Sequence, residues 1–285
     1  MNTFFQNFQL LLSYPFVQKA LIAGPLIAVC SALLGVTLVT SKRTMIGDGL
    51  SHVSFCAVSV ALAAGIAPMA LSIPTVIISA VLILRGKEHS DSEASIALFS
   101  GGALAVGTFV LSAAKGMNMD VSDYMFGSMF TLTNADTLIC IVCSILVVIC
   151  YFILYRRIFA VNFDGAFASA IGINTGKYSY ITAVFTAVTI VIGMKFMGVM
   201  LVTALTAFPT LAAIQVCKSY RTTTVFAAVA SIICFMTGLI ISLFASTPAG
   251  ATVVLAYFSL LIICCGLKRV QNGIYQIKSK QYKLN

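Results

Sequence analysis

A chain of 285 residues in which 60% of side chains are hydrophobic and only 9% charged cannot cover itself for water. Its mean hydropathy of +1.05 makes lipid the solvent for most of its surface and leaves no room for a soluble catalytic domain. The 17 Lys and Arg outnumber the 8 Asp and Glu, but they sit singly or in pairs between apolar runs. That pattern reports membrane topology and excludes a nucleic-acid patch. The expected class is an all-α polytopic membrane protein with one transmembrane domain over residues 1–285.

No Lys or Arg precedes Lys19, so the first fifteen residues lack the cationic start of a cleavable signal peptide. Phe4, Phe5, Phe8, Leu11 and Leu12 share a helical face, which predicts an interfacial segment over residues 1–16. Apolar runs long enough to cross a core of about 30 Å follow at about 17–39, 46–65, 67–84, 93–114, 136–155, 179–194, 197–217, 223–244 and 249–267. Two junctions are tight: Gly65 to Pro68, and Gly193 to Phe196. Each marks either a hairpin or a helix that does not cross fully, so eight to nine spans are predicted. Pro25, Pro74 and Pro209 fall inside predicted helices and should kink them.

With nine spans, fourteen of the seventeen basic residues fall on one side, leaving only Lys19, Lys115 and Lys195 on the other. The positive-inside rule then predicts an external N-terminus and a basic cytoplasmic tail at 268–285. Residues 158–177 form the longest cytoplasmic connection.

Few residues could carry chemistry. In Gly47-Asp48-Gly49-Leu50-Ser51-His52, Asp48 and His52 are four apart and lie on one helical face. A carboxylate and an imidazole so placed can both reach one divalent cation. The spacing equally suits an Asp N-cap with a hydrogen-bonded histidine behind it. His89 reads as part of a solvated loop, and Asp120 and Asp123 flank Tyr124-Met125-Phe126-Gly127 on the outer side. Cys140 and Cys143 lie in an apolar stretch and read as small membrane-compatible side chains.

Residues 159–173 predict a short cytoplasmic helix with Asp164 near its start, Ala168 among small residues in its middle and Gly172 at its C-cap. Phe163 and Phe167, one turn apart, suit either a docking knob or an interfacial loop helix. No P-loop, HExxH or GxSxG occurs, so the chain has no motif for binding ATP or for hydrolysis.

Together these motifs resemble the membrane permease family of bacterial zinc/manganese-type ABC importers, over about residues 20–267. The segment around Asp48 and His52 is similar to that family's GD-x-LSH signature. Glu93-Ala94-Ser95-Ile96-Ala97, Tyr124-Met125-Phe126-Gly127-Ser128, Asp164 to Gly172, Gly198 to Ala212 and Pro248 to Leu255 resemble its other segments in the same order. Ala97 stands where the family usually has Gly, and Thr247 where an acid often precedes Pro248.

The resemblance implies a homodimeric permease with no reaction chemistry and no permanently bound cofactor. Its implied partners are a cytoplasmic ABC ATPase dimer, an extracytoplasmic metal-binding protein and the lipid bilayer, with no nucleic acid. It implies that Asp48 and His52 contact the transported Zn²⁺ or Mn²⁺, or iron. Phe163, Asp164, Phe167, Ala168 and Gly172 would then couple to the ATPase, and Pro209 would kink a helix on the path. Other readings are a vitamin B12/siderophore-type ABC permease, expected to be longer and without the Asp48/His52 pair, and a non-ABC channel or carrier.

Overall fold

The computed structural model describes residues 14–86, 92–114, 133–245 and 247–282, and all regular structure within them is helical. In chain order the helices are α1 (Pro15–Thr40), α2 (Thr44–Ala63), α3 (Pro68–Gly86), α4 (Ser92–Ala113) and α5 (Asn134–Phe163), then α6 (Gly165–Ala170), α7 (Thr175–Met197), α8 (Val199–Val216), α9 (Tyr220–Ala245) and α10 (Ala249–Tyr282). Eight of these are long and apolar enough to span a bilayer. The exceptions are α6, with six residues, and α8, whose apolar stretch is Leu201–Val216. Helices are the expected solution in lipid, because they satisfy every interior backbone group within the segment. The expected interfacial segment, His89, Lys115, Asp120, Asp123 and Tyr124 to Gly127 lie outside the described residues.

The turns form where residues can adopt positive φ. Gly65, at φ 69°, closes α2 into α3, and the Ile66 N–H donates back to the Ala61 carbonyl at 2.8 Å. The second tight junction is not at 193–196 as the sequence predicts. Helix α7 continues to Met197, and the break falls on Gly198 at φ 86°, a conformation that costs glycine little. A Cβ on Gly193 would sit 2.6 Å from Val202 Cγ2. Those residues are nearly equidistant from Gly198, so α8 folds back on α7 as a hairpin. Pro25, Pro74 and Pro209 lie inside α1, α3 and α8 as expected.

Two predicted boundaries move. Helix α5 runs to Phe163, past the expected end at 155, and buries Ile158 on the way. Helix α10 continues to Tyr282, through the segment expected as a tail. Hydropathy locates the edge of lipid, whereas a helix can continue into water until a cap or a breaker stops it.

Helices α1, α2 and α7 are the most buried, and α4 and α10 present most of their surface outward, as lipid-facing helices do. One core joins Ala23, Ile27, Leu205, Phe235, Val253 and Tyr257 of α1, α8, α9 and α10. A second joins Leu50, Val76, Ala187, Ile190 and Val202 of α2, α3, α7 and α8. Hydroxyl groups tie helices together as well. Thr37, Tyr151 and Tyr220 form a triangle with edges of 3.2–3.5 Å across α1, α5 and α9. Tyr257 OH donates to the Ser231 carbonyl at 2.9 Å, linking α10 to α9.

Because lipid is as apolar as leucine, helices associate here through close packing, and small residues set the spacing. A Cβ on Gly238 of α9 would stand 2.6 Å from the Val253 Cα of α10. Gly238→Ala should therefore cost about 1–3 kcal/mol through overpacking. This would appear as a lower unfolding midpoint of the detergent-solubilised protein, and an unchanged midpoint would refute the close approach.

Candidate metal-translocation site

The chain reverses between α1 and α2 at Ser41, Lys42 and Arg43, with the Arg43 N–H donating to the Leu38 carbonyl at 2.8 Å. Arg43 occupies the N-cap position of α2, so Asp48 lies a full turn inside the helix and is not its cap. That removes the capping reading which the spacing alone had left open. His52 follows one turn later, and its Nε2 stands 3.8 Å from Asp48 Oδ2. The separation is too long for a hydrogen bond. Two ligands each about 2.1 Å from one metal at a tetrahedral angle are about 3.4 Å apart, so a small adjustment lets a cation bridge the pair.

The two side chains differ in environment. Asp48 is 50% exposed and His52 only 13%. Asp48 lines a cavity of about 290 Å³ between α1, α2 and α8, whose wall includes Gly35, Leu38, Thr44, Thr203 and Thr206. His52 is not part of that wall. Its Nδ1 is buried without a hydrogen-bond partner among the described residues. The arrangement is a carboxylate at the cavity surface with an imidazole behind it. Among the described residues no third His, Cys, Asp or Glu joins them. Within the described residues, further donors to a cation are limited to neutral oxygens. Pro209 sits just beyond Phe208, the last α8 residue in the cavity wall, and does not itself line it.

The other predicted site residues gather at the α5–α7 junction. Asp164 caps α6, its Oδ1 accepting from the Phe167 N–H at 2.9 Å. The helix ends in a Schellman pattern: the Gly172 N–H donates to the Ser169 carbonyl at 3.0 Å, and the Ile173 N–H to Ala168 at 2.9 Å. Gly172 has φ 83°, which explains why glycine stands there. Phe163 and Phe167 do not share one helix, because Asp164 at φ −149° separates the end of α5 from α6. Both rings are nevertheless exposed, at 81% and 61%, while Ala168 is buried. The result is a short polar-capped helix that carries Phe167 outward, with Phe163 exposed at the end of the helix before it.

The sequence did not predict two interactions. Lys195, predicted on the outer side with no partner assigned, lies 3.5 Å from Asp136 and joins the end of α7 to the start of α5. A lysine in an apolar run signals that a partner is needed, but not which one. Arg157 of α5 donates to the Tyr178 hydroxyl of α7, bracketing α6 from both sides. Cys140 is a buried free thiol in the core, as its apolar surroundings suggested.

The sequence model of the ABC 3 transport family matches residues 13–268. The chain belongs to this family. This ABC 3 chain is 29% identical over 265 residues to a probable metal transport system membrane protein of Treponema pallidum, covering 91% of this chain and 98% of that one. It is 24% identical to the high-affinity zinc uptake system membrane protein ZnuB of Haemophilus influenzae, covering 86% and 94%. It is 25% identical to the manganese import system permease protein ScaB of Streptococcus gordonii, covering 85% and 87%. In fold it matches PsaBC from Streptococcus pneumoniae, solved in complex with Fab, at a TM-score of 0.82 and 22% identity, over 91% of this chain and 94% of that one. The family assignment and the eight apolar helices make the ABC 3 chain a multi-pass protein of the cytoplasmic membrane.

Proposed function

We propose that this ABC 3 chain is the permease subunit of an ATP-binding cassette importer that moves a divalent transition metal ion, zinc or manganese, across the cytoplasmic membrane by alternating access. The observation that carries this reading is the Asp48 carboxylate at the wall of a cavity between three helices, with the His52 imidazole 3.8 Å behind it. A mixed oxygen–nitrogen pair without thiolate holds such an ion weakly enough for it to leave, as transport requires. Relatives described as zinc and manganese transport proteins support the cargo class.

In this reading the permease works as a homodimer, with residues 1–285 forming one transmembrane domain. The 18-residue α8, too short to count among the eight long spans, is taken as a ninth crossing. Nine crossings put the C-terminus in the cytoplasm and the N-terminus outside, the arrangement that places most basic residues inside. The α6 region, presenting Phe163 and Phe167, docks a separate ATPase dimer, and an extracytoplasmic metal-binding protein delivers the ion. The permease holds no permanent cofactor, and ATP hydrolysis belongs to its partner.

The test is transport by the permease reconstituted in proteoliposomes with its ATPase and binding protein. ATP-dependent accumulation of Mn²⁺ or Zn²⁺ is expected, with none of cobalamin or a ferric siderophore. Uptake of either chelate without uptake of the free ions would favour the vitamin B12/siderophore class and sink the proposal.

A further inference from the structure

We infer that Thr206 of α8 gives the cation held at Asp48 a neutral oxygen ligand, and that this oxygen tilts the site towards Mn²⁺ over Zn²⁺. The inference rests on the reading of Asp48 and His52 proposed above. Thr206 and Asp48 line the same cavity from opposing helices. Thr206 is only 6% exposed, so it is a packed part of the wall and not a surface residue. The hydroxyl donates to the Thr203 carbonyl at 2.8 Å. With its proton committed there, the oxygen retains lone pairs for an acceptor role.

The backbone at this point is held firmly. A Cβ on Gly35 of α1 would collide with the Thr206 carbonyl oxygen, so the missing side chain lets α8 press against α1 at this level. That carbonyl also accepts from Thr210 Oγ1 at 3.4 Å. Thr206 is therefore kept at a set distance from α1, beside the turn that leads to Asp48.

The choice of metal follows from donor chemistry. Among the described residues the pair has no third acidic, histidine or cysteine ligand. A site made of one carboxylate, one imidazole, a hydroxyl and water is rich in hard oxygen. Such donors suit Mn²⁺, whereas Zn²⁺ prefers nitrogen and sulfur and is content with four ligands. Zn²⁺ can complete four positions with carboxylate, imidazole and water, whereas Mn²⁺, with about six positions suited to oxygen, draws more of its hold from an added protein oxygen.

Thr206→Val keeps the shape and removes the oxygen, while Thr206→Ser keeps the oxygen. In the reconstituted transporter, Thr206→Val should raise KM for Mn²⁺ about ten-fold, the low end of what loss of a supporting group costs, with KM for Zn²⁺ changed less than about two-fold. Thr206→Ser should stay within about two-fold of wild type for both ions. An unchanged ratio of the two KM values in Thr206→Val would overturn the inference, whether both constants stay the same or rise together. Asp48→Ala measured alongside separates the two levels. If it transports both ions normally, the metal reading of the site itself is wrong. If it is inactive and Thr206→Val keeps the wild-type ratio, only the role of Thr206 fails.

Discussion

Replacing Asp48 or His52 with alanine should abolish uptake of the transported cation while the permease reaches the membrane at wild-type abundance. Asp48 is half exposed and His52 makes no hydrogen bond through its buried Nδ1, so neither holds the fold through a hydrogen bond of that kind. Removing either should therefore cost the site and spare the fold. Among the described residues no third ionisable donor joins the pair, so each substitution removes half of its strong ligand set. A drop of roughly 100-fold or more in kcat/KM is expected, in line with losing a ligand at a sparsely coordinated metal. Asp48→Asn separates charge from shape. It retains an oxygen donor but not the negative charge that offsets the cost of a divalent ion in a low-dielectric path, so it should resemble Asp48→Ala. Uptake measured with radioactive Mn²⁺ and Zn²⁺ checks this. Wild-type accumulation of both ions in both alanine variants would show that the pair is not a ligand set.

Gly172→Pro and Asp164→Lys should each abolish co-purification of the ATPase with the permease. Gly172 holds φ at 83° and donates to the Ser169 carbonyl at 3.0 Å. Proline fixes φ near −65° and has no N–H, so it removes both features and unwinds the end of α6. Asp164 carries the N-cap of the same helix, with its Oδ1 2.9 Å from the Phe167 N–H. Lysine there loses the cap and places a cation at the positive end of the helix. A six-residue helix has no reserve against either loss, because helices this short depend on their caps and contacts. Gly172→Ala, which keeps the N–H and pays only for the left-handed backbone, about 1–2 kcal/mol, should weaken the association without abolishing it. Normal ATPase recovery with both Gly172→Pro and Asp164→Lys would rule out α6 as the docking element.

The outcomes at individual residues show which features were legible in the sequence. The Asp48–His52 pair was visible because i,i+4 spacing places both side chains on one face whatever surrounds the helix. The cap at Asp164 and the stop at Gly172 were visible because capping is local chemistry. The capping alternative for Asp48 could not be settled locally, since it depended on where the α1–α2 turn closes. The ends of α5 and α10 were misplaced because hydropathy senses the lipid boundary and not the hydrogen-bond ladder. The α7–α8 break was displaced to Gly198 because the first candidate, Gly193, is needed within the helix where Val202 packs.

Composition by itself determined that lipid is the solvent and that helices must span it. It also made Asp48 and His52 conspicuous, because ionisable groups are rare in so apolar a chain. Only the tertiary structure decided what faces them. It brought Thr206 of α8 to the wall that Asp48 shares, and it neutralised Lys195 with Asp136. It also pressed α8 onto α1 at Gly35. Such pairings join residues far apart in the chain, and they arise from helix packing, which leaves no periodic or compositional trace in either partner alone.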